Sequence, residues 1–141
     1  MPNTFEKKFI NYCNEQKLEV NTNQVDAIKK LEQYFQNNFK SFFSELFSKQ
    51  SLKKGFYLYG DVGVGKTMIL NYFFSQVDEK KIRQHFNEFM LNFHDFVHEQ
   101  KEKNEENVIN QFVKNLKSKA SLIYFDEFQV TNIVDAMILG K

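Results

Sequence analysis

Two short stretches of this 141-residue chain hold the residue types that handle phosphate. The first is Gly60-x-x-x-x-Gly65-Lys66-Thr67, set between the apolar runs GFYLY and MILNYFF. Glycines let successive backbone N–H groups curl into an anion-binding concavity that side-chain carbons would obstruct. A helix opening at the end of the loop points its positive end at the same oxygens. Lys66 can reach between the β- and γ-phosphates of a nucleotide as a point charge, and the Thr67 hydroxyl is the expected ligand of Mg2+. The candidate nucleotide-binding set is Gly60, Asp61, Val62, Gly63, Val64, Gly65, Lys66, Thr67 and Met68. A glycine turn without a ligand is the bland alternative; the position between a predicted strand and a predicted helix argues against it.

The second stretch is LIYFDE, residues 122–127: four apolar residues and then two carboxylates. A P-loop enzyme needs a carboxylate at the end of a buried strand on the Mg2+ side, and Asp126 is placed for that. Glu127, one residue on, would face the γ-phosphate and orient or deprotonate the attacking water. Glu127 and Lys66 are therefore the candidate catalytic residues, and Thr67 and Asp126 the candidate metal ligands. A strand ending in solvated charge would look the same in isolation; the upstream P-loop decides between the two readings. A GTPase would carry Asp-x-x-Gly here and an Asn-Lys-x-Asp later, but Gln129 stands at the glycine position and no such tetrad occurs. A small-molecule kinase of this type needs several arginines around the transferred phosphate, whereas Arg83 is the only arginine present. The expected cofactors are ATP and Mg2+, and the expected reaction is ATP hydrolysis.

The elements that must position these groups follow from periodicity. Apolar residues at 5, 9, 10 and 12–13 mark a helix over 4–17. Asn23 is the expected cap of a second helix running through Val25, Ile28, Leu31, Phe35, Phe39, Phe42, Phe43 and Leu46 to about residue 47. That aromatic stripe reads as core packing. Lys53 and Lys54 lead into GFYLY, a predicted first strand; KIRQHF is a second and SLIYFDEF a third. Predicted helices cover TMILNYFFSQV, NEFMLNFHDFVHEQK, VINQFVKNLKSK and the start of VTNIVDAMILGK, with EKNEEN as a solvated connection. Strands alternating with helices predict an α/β fold with a parallel sheet. We divide the chain into a helical N-terminal segment, 1–52, and a P-loop core, 53–141. With 42% apolar residues and 17 phenylalanines the chain can build one core. A net charge of +1 gives no general pull toward nucleic acid or membrane. No signal peptide, transit peptide or membrane-spanning run is present, and a cytoplasmic location is expected. The single cysteine, Cys13, excludes an internal disulfide and reads as a small core residue. His85 reads as a strand-end residue before it reads as a site residue. His94 and His98 could share a helix face, but no third ligand accompanies them.

GFYLYGDVGVGKTMILNYFF, KIRQHFNEFMLNFHDFVH and LIYFDEFQVTNIVDAMILGK resemble the signature blocks of the ZapE/AFG-type P-loop ATPases, bacterial and mitochondrial. VNTNQVDAIKKLEQY is similar to the segment before their P-loop, so the resemblance runs from about residue 14 onward, in order and with family-like spacing. The blocks HF-x-x-FM and DEF-x-V…I-x-DAM-x-LG are much more specific than the nucleotide motifs. By position, the resemblance implies that residues 60–67 hold the phosphates, Asp126 serves the metal and Glu127 activates water. Asn132 stands where the family usually has an acid and Val64 where it commonly has Arg.

The resemblance also implies an AAA-like three-layer fold with sheet order 5-1-4-3-2, of which this chain supplies strands 1–3, an incomplete sheet. The segment 14–31 is the implied resting place of adenine. A polar sensor on strand 4 and an arginine finger from a neighbouring subunit belong to the family's machinery, and neither is expected from this chain. The implied partners are nucleotide, further copies of the chain and a division-ring protein. Two readings stand: a truncated ATPase of this family with weak turnover and an unpaired, unstable first strand, or a non-catalytic remnant or split-gene half that binds nucleotide or needs a complementary chain. A different P-loop enzyme ranks below both.

Overall fold

Phe5, Phe9, Ile10, Tyr12 and Cys13 fall on one side of a helix, and the computed structural model forms α1 over Thr4–Glu15. Residues 4–39, 55–61, 63–100 and 104–140 are described by the structure. Contacts divide the chain into two compact units, Met1–Gln76 and Val77–Lys141.

In the first unit α1 stops short of the expected residue 17. Leu18 N–H donates to the Cys13 carbonyl at 2.8 Å and Lys17 N–H to Asn14 at 3.1 Å. With Lys17 at φ +54° these bonds form a Schellman stop, which satisfies the last carbonyls. The second helix, α2, spans Thr22–Phe39, and its cap is Asn21 rather than Asn23. The Asn21 side-chain oxygen accepts from Asn23 N–H at 2.8 Å, because a capping side chain reaches donors that follow it. The expected continuation of this helix to 47, with Phe42, Phe43 and Leu46, lies outside the described residues, as do Lys53 and Lys54.

The third helix, α3, spans Lys66–Gln76 and packs with α1 and α2. Phe9, Cys13, Ile28, Leu31, Phe35, Ile69, Tyr72 and Phe73 are buried together as a core. Phe9 meets Tyr72 edge-on at 5.1 Å, and Phe35 meets Phe73 at 6.1 Å. Cys13 is fully buried, and burial raises its thiol pKa, so little thiolate forms. We expect Cys13 to resist maleimide in the native protein and to react fully in denaturant; rapid native labelling would contradict this core.

The predicted strand GFYLY does not form. Residues 55–60 carry no ladder bonds, and Tyr57 and Tyr59 are 67% and 80% exposed. A strand exists only through its neighbour's hydrogen bonds, and the apolar run has no such neighbour among the described residues. Its rings pack instead on other rings: Phe56 against Tyr34 of α2 at 5.9 Å, Tyr57 stacked on Tyr59 at 6.3 Å.

The second unit holds the sheet. Strands β1 (Lys81–His85) and β2 (Leu122–Asp126) run parallel, with Arg83 opposite Tyr124 and His85 opposite Asp126. The crossover between them is a pair of helices, α4 (Phe86–Glu99) and α5 (Glu105–Lys119). Phe86, Met90 and Phe93 of α4 form the buried core, flanked by Phe89, Phe112 and Phe125. Helix α5 begins within EKNEEN, the expected connection, because Asn104 caps it by accepting from Glu106 N–H at 3.2 Å. Glutamates also suit the positive end of a helix. A short α6 (Ile133–Leu139) follows β2. Asn132 caps it, accepting from Val134 N–H at 2.9 Å. Among the described residues no helix is long and apolar enough to cross a membrane.

Candidate functional site

In the first unit, the glycine loop turns the chain into α3. Gly63 and Gly65 lie at φ +85° and +82°, a region that side-chain-bearing residues enter only with strain. The Gly65 carbonyl accepts from Ile69 N–H at 3.0 Å and so starts the helix. Lys66, the first residue of α3, folds back over the loop. Its Nζ donates to the carbonyls of Gly60 and Asp61, the latter at 2.7 Å. Thr67 is exposed, Met68 half-buried and Val64 exposed; Val62 lies outside the described residues. The loop's chemistry suits a polyphosphate: a cation held by neutral carbonyls that an anion can replace, beside an exposed threonine. Sequence reasoning missed Gln24, whose Nε2 donates to the Val64 carbonyl at 3.2 Å. The available signal was a glutamine at the third residue of a capped helix, which reads as an ordinary cap partner.

In the second unit, the strand pairing builds a cluster around Asp126. Side chains two apart on a strand share a face, so Tyr124 and Asp126 emerge together, with Arg83 across the ladder. Arg83 Nε donates to Asp126 Oδ2 at 3.0 Å and Nη2 donates to the same oxygen. The Tyr124 hydroxyl donates to Oδ1 at 3.2 Å, and the guanidinium lies 5.2 Å from the Tyr124 ring centre. The Arg83 hydrogen bond, more than any other contact, holds the Asp126 carboxyl below the usual carboxylate range; Tyr124 and the charge of His85 add to it. Burial, and then the neighbouring Asp126 charge, push the Tyr124 phenol up to about 12. Glu127 follows at φ +50° and is exposed. A left-handed glutamate costs about 1 kcal/mol or more, which the turn out of β2 must sustain. His85 sits at the strand end opposite Asp126. His94 Nε2 lies 2.9 Å from Asp135 Oδ1 and links α4 to α6. The sequence singled out Arg83 as its only arginine; its direct hold on Asp126 depends on strand register and was not legible.

The donors named for Mg2+, a threonine hydroxyl and an ionised aspartate, are hard oxygens of the kind that ion takes alongside nucleotide phosphates. Asp126 is held in the ionised form that a metal ligand takes, with Oδ2 on Arg83 and Oδ1 accepting from the Tyr124 hydroxyl.

The AFG1-like ATPase family model matches residues 4–141. The chain belongs to this family. Membership implies the P-loop NTPase fold, with which the mixture of helices and a small parallel sheet agrees. Lactation elevated protein 1 homolog B of Danio rerio is 39% identical over 104 residues, covering 67% of this chain and 21% of the relative. Cell division protein ZapE of Escherichia coli K12 is 33% identical over 94 residues, covering 66% of this chain and 24% of its own length. This AFG1-like chain thus spans between a fifth and a quarter of the curated relatives it matches. No solved structure gives a significant match.

The ion pair in this AFG1-like chain predicts a pH effect in metal-free protein. Asp126 titrates lower folded than unfolded, so its contribution is fully present above the unfolded value, about 3.9, and is lost as pH falls through the folded value. Arg83→Gln removes the main cause of that depression. The acid-unfolding midpoint followed by circular dichroism therefore moves to higher pH; equal midpoints would contradict the pairing.

Proposed function

We propose that the chain is the nucleotide-binding part of an AFG1-like ATPase and binds and hydrolyses ATP with Mg2+. The observation that carries this reading is the glycine loop in which Lys66 already holds the carbonyls of Gly60 and Asp61 at the opening of α3. In this reading residues 60–68 hold the phosphates, Thr67 and Asp126 bind the ion and Glu127 takes a proton from water. Bound Mg2+ would supply charge neutralisation at the β- and γ-oxygens. The remaining sheet order and third layer are those of an AAA-like fold, with 1–52 a helical segment and 53–141 the ATPase core.

Turnover by these 141 residues alone is slow in this reading. An arginine finger supplied by a neighbour is worth about 10³–10⁵ in rate. The only arginine of the sequence, Arg83, is engaged with Asp126 of its own chain. The same ion pair favours the second reading, a non-catalytic remnant or split-gene half that binds nucleotide only or needs a complementary chain. The likeness to a cell division protein extends the proposal to a role in cell division in a bacterium; a cytoplasmic location and, as partners, further copies of the chain or a division-ring protein complete it.

The test is a titration of purified protein with fluorescent ATP and GTP, with and without Mg2+, followed by phosphate release. Preferred, Mg2+-dependent ATP binding with measurable phosphate release is expected. Binding without release selects the second reading, and no binding overturns the first and leaves of the second only a half that needs a complementary chain.

A further inference from the structure

The carbonyl of Val64 sits inside the phosphate loop. Where N–H groups must face an anion, the intervening carbonyls must face outward and find donors there. For Val64 the donor is Gln24 Nε2, at 3.2 Å and 40 residues earlier in the chain. The same amide also lies against Gly65. A Cβ built on Gly65 would stand 2.8 Å from Gln24 Nε2, so the missing side chain at Gly65 and the amide of Gln24 fit one another.

Local sequence offers Gln24 a different partner. It is the third residue of α2, behind the cap Asn21, and from that place a glutamine ordinarily reaches back to accept from the cap's own N–H. Gln24 makes no such bond. Its Oε1 is buried and has no hydrogen-bond partner among the described residues. A buried acceptor left unmade is unfavourable, so the helix gives up a local bond while the amide is committed to the loop.

We propose that Gln24 is a positioning residue of the phosphate loop: it turns the Val64 carbonyl outward and holds the loop in its anion-accepting form before nucleotide arrives. The proposal rests on the nucleotide-binding reading given above and adds to it a residue outside 60–68 that touches no phosphate. Without the amide, the carbonyl is free to rotate inward and must be reordered on binding, which weakens affinity. Because the loop grips the phosphates shared by ADP and ATP, both nucleotides weaken by the same factor.

Two variants of the 141-residue chain test this. Gln24→Leu keeps bulk and removes the amide; Gln24→Glu keeps the size but sets a carboxylate against the Val64 carbonyl. Fluorescent ADP and ATP titrations are combined with hydrogen exchange of the 63–67 amides in unliganded protein and with thermal unfolding. We expect affinity for both nucleotides to fall about tenfold in Gln24→Leu and further in Gln24→Glu, with faster loop exchange in each. A role confined to packing would lower the unfolding temperature while leaving loop exchange and the affinity of folded protein as in the wild type; that result overturns the proposal alone. Wild-type protein that binds no nucleotide overturns the nucleotide reading and this inference with it.

Discussion

Lys66→Ala weakens ATP and ADP binding about a hundredfold while leaving the fold intact. In the unliganded protein the Lys66 ammonium is occupied by two backbone carbonyls, of Gly60 and Asp61. Phosphate oxygens carry full negative charge and outcompete neutral carbonyls for the same donors. A hydrogen bond to a charged group contributes about 1.5–3 kcal/mol, so losing one such contact is a factor of roughly 10 to 150. The fold has little to lose, because Gly60 and Asp61 are exposed and water can replace the ammonium at their carbonyls. Isothermal titration and thermal unfolding of the same preparation separate the two effects. Affinity within threefold of wild type would remove the P-loop assignment. A large fall in unfolding temperature would show that Lys66 serves the fold instead.

Glu127→Gln abolishes most phosphate release and leaves nucleotide binding in place. A positioned general base contributes about 10²–10⁴ in rate, and glutamine keeps the size and polarity of glutamate without its basicity. The backbone is no obstacle to this comparison, since Gln at φ +50° meets the same left-handed constraint as Glu. Glu127→Gly separates geometry from chemistry: it removes the strain and the carboxylate together, so the turn is kept and turnover is lost. Single-turnover hydrolysis read beside binding decides the matter. Turnover in Glu127→Gln within tenfold of wild type would take the proton-accepting role away from Glu127. Wild-type protein that binds ATP and releases no phosphate would leave only the nucleotide-binding reading.

Local patterns were legible where one segment could satisfy itself. The helices α1 to α5 follow from apolar spacing and polar caps, and errors of two or three residues at their ends come from capping choices such as Asn21 and Asn104. The glycine loop was legible for the same reason: Gly63 and Gly65 announce backbone angles that other residues avoid. GFYLY shows where such reading fails. An apolar, aromatic run signals a strand, but a strand is a relation between two segments, and Tyr57 and Tyr59 stand in solvent. Family signature blocks pointed to the same chemistry as the residues themselves, and the family match bears out the membership.

Residue types and short-range spacing, then, determined by themselves that this chain carries a glycine loop opening a helix, a strand ending in Asp126 with Glu127 next to it, and helices between them. Three-dimensional folding alone decided that Gln24 donates to Val64, that Arg83 holds Asp126, and that residues 55–60 carry no strand ladder. The physical reason is range. Capping, turn geometry and amphipathic spacing act over one helical turn, whereas these partners stand 40 and 43 positions apart and meet only through helix packing or strand register.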